Sequence, residues 1–278
     1  MSMTPGVLSG GGTVPDLGAR LREHARRQTF RWRTQFVITW MAILTAMTVF
    51  IVVFVGLDET LITKYFWYII GGGIGLTIFV AVCSISLAII FATLGALGRL
   101  SSNPVFNGVA SFYVSLVRGT PLLLQVLFIY LALPQLGIVL PELLCGILAL
   151  GFNYGAYMTE VFRAGIQAVP HGQTEAAQSL GMTNQTTFRR IVLPQAFRIV
   201  LPAIGNDFIA MLKDSSLVST IGVQELLWRA RLIGTKEFAA IQTLLIAAAV
   251  YWVMTIAFSY IQSRLERRMA QGDRAVSR

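Results

Sequence analysis

The sequence predicts an all-α membrane protein with about six transmembrane helices and both termini in the cytoplasm. Of its 278 residues, 55% are hydrophobic and only 13% are charged, and the apolar residues gather in long runs. Soluble globular proteins carry about 25% charged residues. The net charge of +9 therefore indicates the cytoplasmic side of a membrane protein rather than a nucleic-acid-binding surface.

Each predicted span is a run of roughly 20 apolar residues, the length that crosses the hydrocarbon core of a bilayer. A basic lead at 1–35 precedes the first run and is too long to belong to a cleaved signal peptide, so that run is interpreted as an anchored span. The sequence RGTP at 118–121 interrupts the third run. The predicted spans are 36–56, 66–97, 106–132, 143–163, 197–215 and 239–262.

Positive charge predicts the orientation of these spans. With six spans, sixteen Lys and Arg side chains fall on the face that holds both termini, and four fall on the opposite face. Cytoplasmic loops carry the excess of Lys and Arg in membrane proteins. Both termini and the polar insert between the fourth and fifth spans are therefore predicted to be cytoplasmic.

That polar insert, at 171–194, carries helix signals that a bare loop would not need. Thr174 and Thr183 are predicted to cap two short helices. Gly181 suits a left-handed end for the first helix, and Pro194 is predicted to end the second. Helices this short are not stable alone in water. The insert either packs under its own bundle or docks into a partner, and the residues alone leave both readings open.

Ionisable side chains in or near the third to fifth spans are the candidate substrate path. A charge at mid-membrane costs about 2.5–3.5 kcal/mol on insertion scales, so such groups face a cavity or pair internally. Six such groups are present, three cationic and three anionic. A cavity lined by both signs of charge suits a zwitterion better than a sugar or a metal ion. These groups are Arg118, Glu160, Arg163, Asp207, Lys213 and Asp214.

Helical spacing places several polar side chains on shared faces. The sets are Asn153, Tyr157 and Glu160 in the fourth span; Arg118 and Gln125 in the third, provided that Pro121 does not rotate the helix; and Asn206 with Lys213 and Asp207 with Asp214 in the fifth. Polar faces on apolar helices line a cavity or contact a neighbouring helix. Internal pairing, for example between Glu160 and Arg163, therefore remains an alternative for each residue.

The sequence KDSSLVSTIG at 213–222 is predicted to contain irregular backbone inside the membrane. Ser215 and Ser216 can hydrogen-bond locally and weaken the helix, and a glycine ends the segment. Broken helices of this kind line substrate sites in transporters. Our hypothesis is that Asp214 binds the ammonium group of a substrate, while Ser215, Ser216 or Arg118 binds its carboxylate.

Four ordered blocks carry a resemblance to a known family. The blocks are EAAQSLGMTNQTTFRRIVLP at 175–194, RGTPLLLQ at 118–125, FRAGIQAVPHGQTEAA at 162–177 and LKDSSLVSTIG at 212–222. Together they resemble bacterial ABC-importer permeases of the polar amino acid uptake family, whose EAA motif the first block matches. The similarity covers roughly 66–268, which makes that range a five-span permease core. It leaves 36–56 as an additional N-terminal span and 269–278 as a cytoplasmic tail.

The resemblance implies how the protein works and with which partners. The insert is expected to be a coupling helix that docks into an ATPase subunit through Glu175, Ala176, Ala177, Leu180 and Gly181. Two such ATPase subunits would hold the ATP and Mg²⁺. A second permease, identical or related, would complete the pore in the bacterial inner membrane, and an extracytoplasmic binding protein would deliver a polar amino acid.

The chain itself is not expected to be an enzyme or to bind a cofactor or metal. It contains no GxxxxGK[ST] phosphate loop, and its two histidines stand apart from each other. An ion- or proton-coupled carrier remains the alternative function, because carboxylates inside the membrane allow it. A regulatory or scaffolding membrane protein is the third possibility. The amphipathic stretch 223–237 is expected on the outer face, either packed on the membrane surface or in contact with the binding protein.

Overall fold

The computed structural model describes residues 17–56 and 59–276, with side chains over 28–53, 56 and 59–269. Every regular element within these ranges is helical, as the fold class predicts. The described residues divide into two units, 17–56 and 59–276. The first sixteen residues of the predicted basic lead lie outside the described residues.

The first unit is a single long helix. Helix α1 covers Leu17–Phe50 and continues into a π-helical turn at Ile51–Val55. The described part of the basic lead is therefore helical and runs into the predicted span without a break. Within 28–53 the apolar side chains have no core of their own to pack in, and Trp32 stacks on Phe36 with ring centroids 5.3 Å apart.

The second unit is a bundle of ten helices in the described range. They are α2 (Glu59–Phe66), α3 (Gly72–Leu100), α4 (Pro104–Arg118), α5 (Leu122–Ala132), α6 (Glu142–Gln167), α7 (His171–Ser179), α8 (Asn184–Thr187), α9 (Leu193–Asp214), α10 (Leu226–Lys236) and α11 (Ala240–Val276). A π-helical turn at Trp67–Gly71 joins α2 to α3, and another at Phe188–Val192 joins α8 to α9. Turns of 3₁₀-helix lie at Pro134–Leu136 and Ser215–Ile221.

Helix α3 is the centre of the bundle and packs against α4, α6, α9 and α10. Its buried residues are mostly small, including Ala81, Ala88, Ala92 and Gly95. Small residues let membrane helices approach closely, since lipid supplies no hydrophobic driving force for their association. At the other face of α3, Gly73 lies against α10, where an added Cβ would come within 2.9 Å of the Leu226 Cα atom.

The polar insert forms a helical pair, with two differences from the prediction. Gly181 adopts a left-handed φ of +81°, and Thr183 caps α8 by accepting from the Thr186 amide at 3.3 Å, so both predictions are confirmed. The predicted cap at Thr174 is wrong, because α7 begins three residues earlier, directly after Pro170. The predicted helix end at Pro194 is also wrong. The preceding π-helical turn changes the hydrogen-bond spacing, and the chain continues helically through Pro194 into α9.

Helix α10 is held in place by a buried carboxylate. Glu225 is fully buried, and its two oxygens accept from the amides of Leu227 at 2.9 Å and Trp228 at 2.8 Å. The Tyr251 hydroxyl of α11 also donates to it. This carboxylate therefore satisfies the first turn of α10 and ties α10 to α11.

An ionic network joins α3, α4 and α6 at the end of the bundle that carries the insert. Glu160 accepts from Arg99 Nε at 3.1 Å, and its other carboxylate oxygen accepts from Arg163 Nε and Nη2 at 2.8 and 2.7 Å. Arg99 also donates to Ser111 of α4. The side chains of Glu160 and both arginines are only 21–30% exposed. One carboxylate between two guanidinium groups therefore braces three helices just before the chain enters the insert.

The helices differ in how well they meet the composition of a membrane span. Within the described residues, Gln28–Val53, Glu59–Leu100 and Ala240–Met269 are long and apolar enough, and the bent pair α4–α5 adds a fourth if it counts as one span. Helices α6 and α9, with 26 and 22 residues, measure roughly 39 and 33 Å at 1.5 Å per residue, against a core of about 30 Å. These two helices carry most of the candidate substrate-path residues. The same polar residues are what make α6 and α9 less apolar than the helices that meet this composition.

We expect Gly73→Ala to lower the stability of the bundle, because the added methyl would lie 2.9 Å from the backbone of Leu226 and 3.0 Å from its side chain. Overpacking of this kind costs about 1–3 kcal/mol. Thermal unfolding of the purified protein measures the effect. Gly75→Ala on the same helix is the matched control, since a Cβ there meets no described atom within 4 Å. Equal melting temperatures for the two variants would contradict the close contact between α3 and α10.

Glu160→Gln is expected to destabilise the bundle by about 1–3 kcal/mol, because it leaves two partly buried guanidinium groups without their shared charged acceptor. Thermal unfolding again measures the change. Glu142→Gln removes an equivalent charge at an exposed position and is expected to have little effect. If Glu160→Gln has the same melting temperature as the native protein, Glu160 does not brace the three helices.

Candidate substrate cleft

A cleft of about 500 Å³ opens between α4, α5, α6 and α9, which is within the usual size range of small-molecule sites. Five of the predicted substrate-path residues line it, namely Arg118, Asn153, Tyr157, Asp207 and Asp214. Its remaining lining residues are Gly119, Thr120, Pro121, Leu122, Tyr154 and Ala210. Charge and spacing along the sequence therefore predicted five of the polar groups that the fold brings together.

Two helices end at this cleft. Helix α4 ends at Arg118, and the chain bends by 105° into α5. Helix α9 ends at Asp214 and tightens into the 3₁₀ turn Ser215–Ile221, which stops at Gly222 with φ of +97°. Both interruptions confirm the predicted breaks at RGTP and KDSSLVSTIG. The C-terminal end of an α-helix carries a partial negative charge, so the end of α9 favours a cation beside Asp214.

Charged and aromatic side chains face each other across the cleft. The Tyr154 hydroxyl donates to Asp214 Oδ2 at 2.7 Å, which orients the carboxylate. The Arg118 guanidinium lies over the Tyr157 ring, with Cζ 5.1 Å from the ring centroid. Within the part of the chain that the structure describes, Arg118 forms no ion pair with Asp214. The cleft thus presents a cation and an anion that remain available to a ligand.

Gln125 has a different role from the one its spacing suggested. Spacing placed Arg118 and Gln125 on one helix face provided that Pro121 did not rotate the helix, and the 105° bend after Arg118 shows that this condition is not met. Gln125 Nε2 instead donates back to the carbonyl oxygens of Val117 at 2.8 Å and Thr120 at 3.1 Å. Its Oε1 accepts from Asn153 at 3.2 Å. Gln125 therefore satisfies the carbonyl groups that the break exposes, and it supports the cleft from behind.

Four other predicted substrate-path residues do not line the cleft. Ser215 is fully buried and donates to the Leu212 carbonyl at 2.8 Å, because the 3₁₀ turn directs it into the bundle. Lys213 and Ser216 flank Asp214 and Ser215 but are absent from the lining. Glu160 is held in the network with Arg99 and Arg163, as the internal-pairing alternative anticipated.

Sequence reasoning missed two polar members of the cleft, namely Thr120 and Tyr154. Asp207 was predicted from its seven-residue spacing to Asp214, which places the two on the same face of α9. Tyr154 had no such signal, because it follows Asn153 directly and its role depends on a contact with a residue 60 positions away.

The cleft has the chemistry of a site for a zwitterion. Arg118 can bind a carboxylate, and Asp214 can bind an ammonium group. Tyrosine, asparagine and threonine side chains add neutral hydrogen-bonding groups between them. Among the described residues, no three His, Cys, Asp or Glu side chains gather in a way that would hold a metal ion.

The predicted coupling residues divide between two sides of α7. Ala177 is buried, and α7 contacts α8 and the π-helical turn at Phe188–Val192 that leads into α9. Glu175, Ala176 and Gly181 are exposed, and Leu180 is 84% exposed. Among the described residues, nothing lies within 4 Å of a Cβ built on Gly181. Helix α7 therefore has one buried side, and the exposed Leu180 at its end presents an apolar side chain to the surroundings.

Comparisons with known proteins agree with this architecture. Residues 92–271 match the family described as the binding-protein-dependent transport system inner membrane component. The L-cystine transport system permease protein TcyB of Bacillus subtilis (strain 168) is 40% identical over 210 residues, which cover 75% of this chain and 90% of TcyB. The arginine transport system permease protein ArtQ of the same organism is 35% identical over 202 residues, which cover 72% of this chain and 92% of ArtQ.

Solved structures give the same result. A crystal structure of an amino acid ABC transporter with histidines has a chain that is 40% identical, with a TM-score of 0.72 and coverage of 76% of this chain and 99% of that one. The MetNI methionine ABC transporter shares the fold, with a TM-score of 0.60 at 16% identity. The chain is therefore a multi-pass integral membrane protein, and it belongs to the family of inner membrane components of binding-protein-dependent transport systems.

Proposed function

We propose that this chain is the permease subunit of an ATP-driven importer that carries a polar amino acid across the bacterial inner membrane. The observation that carries the proposal is the cleft at the ends of α4 and α9, in which Arg118 and Asp214 are both available to a ligand. An α-amino acid presents the complementary pair of charges on a single carbon atom. The names of the relatives, which include cystine and arginine permeases, support the same substrate class.

The proposed arrangement in the membrane has six spans, with both termini and the insert in the cytoplasm. Helix α1 supplies the first span, α2 and α3 together supply the second, and α4 and α5 the third, while α6, α9 and α11 supply the rest. The excess of Lys and Arg on the side of the insert supports this orientation. The lengths of α6 and α9 allow both to cross the bilayer despite their polar residues.

In this proposal the insert couples the pore to a partner ATPase. The exposed side of α7, formed by Glu175, Ala176 and Leu180, is the docking surface. Leu180 is 84% exposed. Burying this apolar side chain in a groove of the ATPase would contribute about 1.5–3 kcal/mol to the free energy of binding. Gly181 lets the chain turn sharply behind this surface, because glycine adopts the left-handed φ of +81° without steric cost. Residues with a side chain are disfavoured at this position.

Helix α9 provides the mechanical link from the insert to the substrate. It begins directly after the π-helical turn on which α7 packs, and it ends at Asp214 in the cleft. A movement of α7 that follows ATP-driven closure of the ATPases would therefore displace one wall of the cleft. ATP and Mg²⁺ belong to two partner ATPase subunits in this assembly, and a second permease and an extracytoplasmic binding protein complete it.

The coupling role predicts that Leu180→Asp abolishes the stimulation of ATP hydrolysis by substrate and binding protein. The substitution places a charge on the apolar side chain that would enter the ATPase groove, while the buried side of α7 is untouched. ATPase activity of the purified complex, with and without a panel of amino acids, measures this. Gly181→Asp is expected to act similarly, because it forces a side chain into a left-handed conformation.

Leu136→Asp is the matched control, since Leu136 is 75% exposed at the opposite end of the bundle. It should retain stimulation. The proposal fails if no ATPase associates with the native chain, or if an ion gradient without ATP drives uptake. Either result would favour the ion- or proton-coupled carrier.

Substitutions in the cleft should impair uptake without loss of assembly. Arg118→Gln and Asp214→Asn each remove one charge that would bind the substrate, and breaking such a charge pair costs about 2–5 kcal/mol. We expect uptake by reconstituted complexes to fall by at least about tenfold, which corresponds to about 1.4 kcal/mol. Lys213→Gln removes an exposed charge next to Asp214 that does not line the cleft, and it should transport normally. A reversal of this pattern would show that the cleft is not the substrate path.

A further inference from the structure

The cleft holds more anionic than cationic side chains, although the sequence places equal numbers of both in or near the spans that form it. Three cations and three anions lie in or near the third to fifth spans. Of these, Glu160 forms ion pairs with Arg163 and with Arg99, and Lys213 does not line the cleft. The cleft keeps one cation, Arg118, and two anions, Asp207 and Asp214. An amino acid with a neutral side chain would compensate only one of the two carboxylates.

Asp207 is the carboxylate without a partner. Its Oδ2 atom is buried and has no hydrogen-bond partner among the residues that the structure describes. Three other buried side-chain atoms share this property there, and all three are hydroxyl oxygens, of Ser84, Thr187 and Ser219. Asp214 differs from Asp207, because it already accepts from Tyr154. A carboxylate with a buried oxygen and no donor is costly. Because Asp207 also lines the cleft, a cationic group bound there would compensate its charge.

The spacing of the two carboxylates sets the length of that ligand. Asp207 and Asp214 lie seven residues apart on α9, which corresponds to about 10 Å along the helix axis. Both line the same cleft, so one molecule can reach both. An ammonium group at Asp214 and a second cation at Asp207 must therefore be separated by an extended chain. Lysine, ornithine and arginine have such a chain, whereas the second amino group of a shorter diamino acid would fall short.

We propose that the cleft selects amino acids with a long cationic side chain. Arg118 binds the α-carboxylate, Asp214 binds the α-ammonium group, and Asp207 binds the side-chain cation. This inference rests on the proposed function and adds the substrate class to it. A glutamate side chain would meet the Asp207 carboxylate as a like charge, and a glutamine side chain would leave that carboxylate uncompensated.

The test is equilibrium binding of radiolabelled arginine, lysine, glutamine and glutamate to the permease–ATPase complex in lipid nanodiscs. The binding protein is omitted, so that the selectivity of the permease itself is measured. The native complex is expected to bind arginine and lysine more tightly than glutamine and glutamate. Asp207→Asn should weaken arginine and lysine by at least about tenfold while changing glutamine by less than about twofold. Asp207→Glu keeps the charge and should keep the preference for cations.

Glu142→Gln is the matched control, because it removes one carboxylate at an exposed position outside the cleft. It should bind all four amino acids as the native complex does. The inference is overturned if the native complex prefers glutamine or glutamate, or if Asp207→Asn weakens all four amino acids equally. If the complete system with binding protein shows no ATP-dependent uptake of any amino acid, the proposed function itself has failed.

Discussion

The cost of a polar group inside a membrane is the constraint on which the rest of the structure depends. Hydroxyl groups in the bundle often donate to a carbonyl of their own helix, as Thr93 and Thr159 do, and two glutamate carboxylates have partners on other helices. Glu160 is shared by Arg99 and Arg163, and Glu225 accepts from two amides and from Tyr251. These contacts hold the helices in place. Among the described residues, the one buried carboxylate oxygen without a hydrogen-bond partner belongs to Asp207, which lines the cleft. The cleft is therefore the place where the bundle offers charge to a polar ligand.

Interrupted helices also place polar groups inside the membrane, and these groups need partners as well. A chain that breaks at Arg118 and at Asp214 exposes backbone carbonyl groups inside the bundle. Gln125 satisfies two of them beside α4, and local hydroxyl groups such as Ser215 satisfy others beside α9. Irregular backbone is tolerated at membrane depth only where protein or a water-filled cavity surrounds it. The breaks therefore bring charged side chains to the cleft, while neighbouring polar side chains bind the carbonyl groups of Val117, Thr120 and Leu212.

Local features of the fold could be predicted from the sequence, and features that depend on distant contacts could not. The breaks at 118–121 and 213–222 and the left-handed Gly181 follow from residues within a few positions, and each was predicted. The pairing of Glu160 with Arg99 spans 61 residues, and no periodicity indicates it. Gln125 was misassigned for a related reason, since a 105° bend separates it from the helix face of Arg118.

The insert illustrates the same limit at short range. Thr183 caps α8 as predicted, but Thr174 lies inside α7, because the chain can start a helix directly after Pro170 without a capping side chain. Pro194 was expected to end a helix, and a π-helical turn before it accommodates the proline instead. Propensity alone thus located the two helices of the insert, while Pro170 and the π-helical turn determine where α7 begins and how α8 continues into α9.

The central claim is that the cleft between α4, α5, α6 and α9 is the path of the substrate. Its most direct test is cysteine accessibility at two neighbouring positions of α9, in a complex whose Cys83 and Cys145 are replaced by alanine. Ala210 lines the cleft, and Met211 is fully buried in the bundle. We expect Ala210→Cys to react with a polar thiol reagent and to be protected by the transported amino acid, while Met211→Cys stays inert. Equal reactivity at both positions, or no protection of Ala210→Cys by any amino acid, would contradict the account.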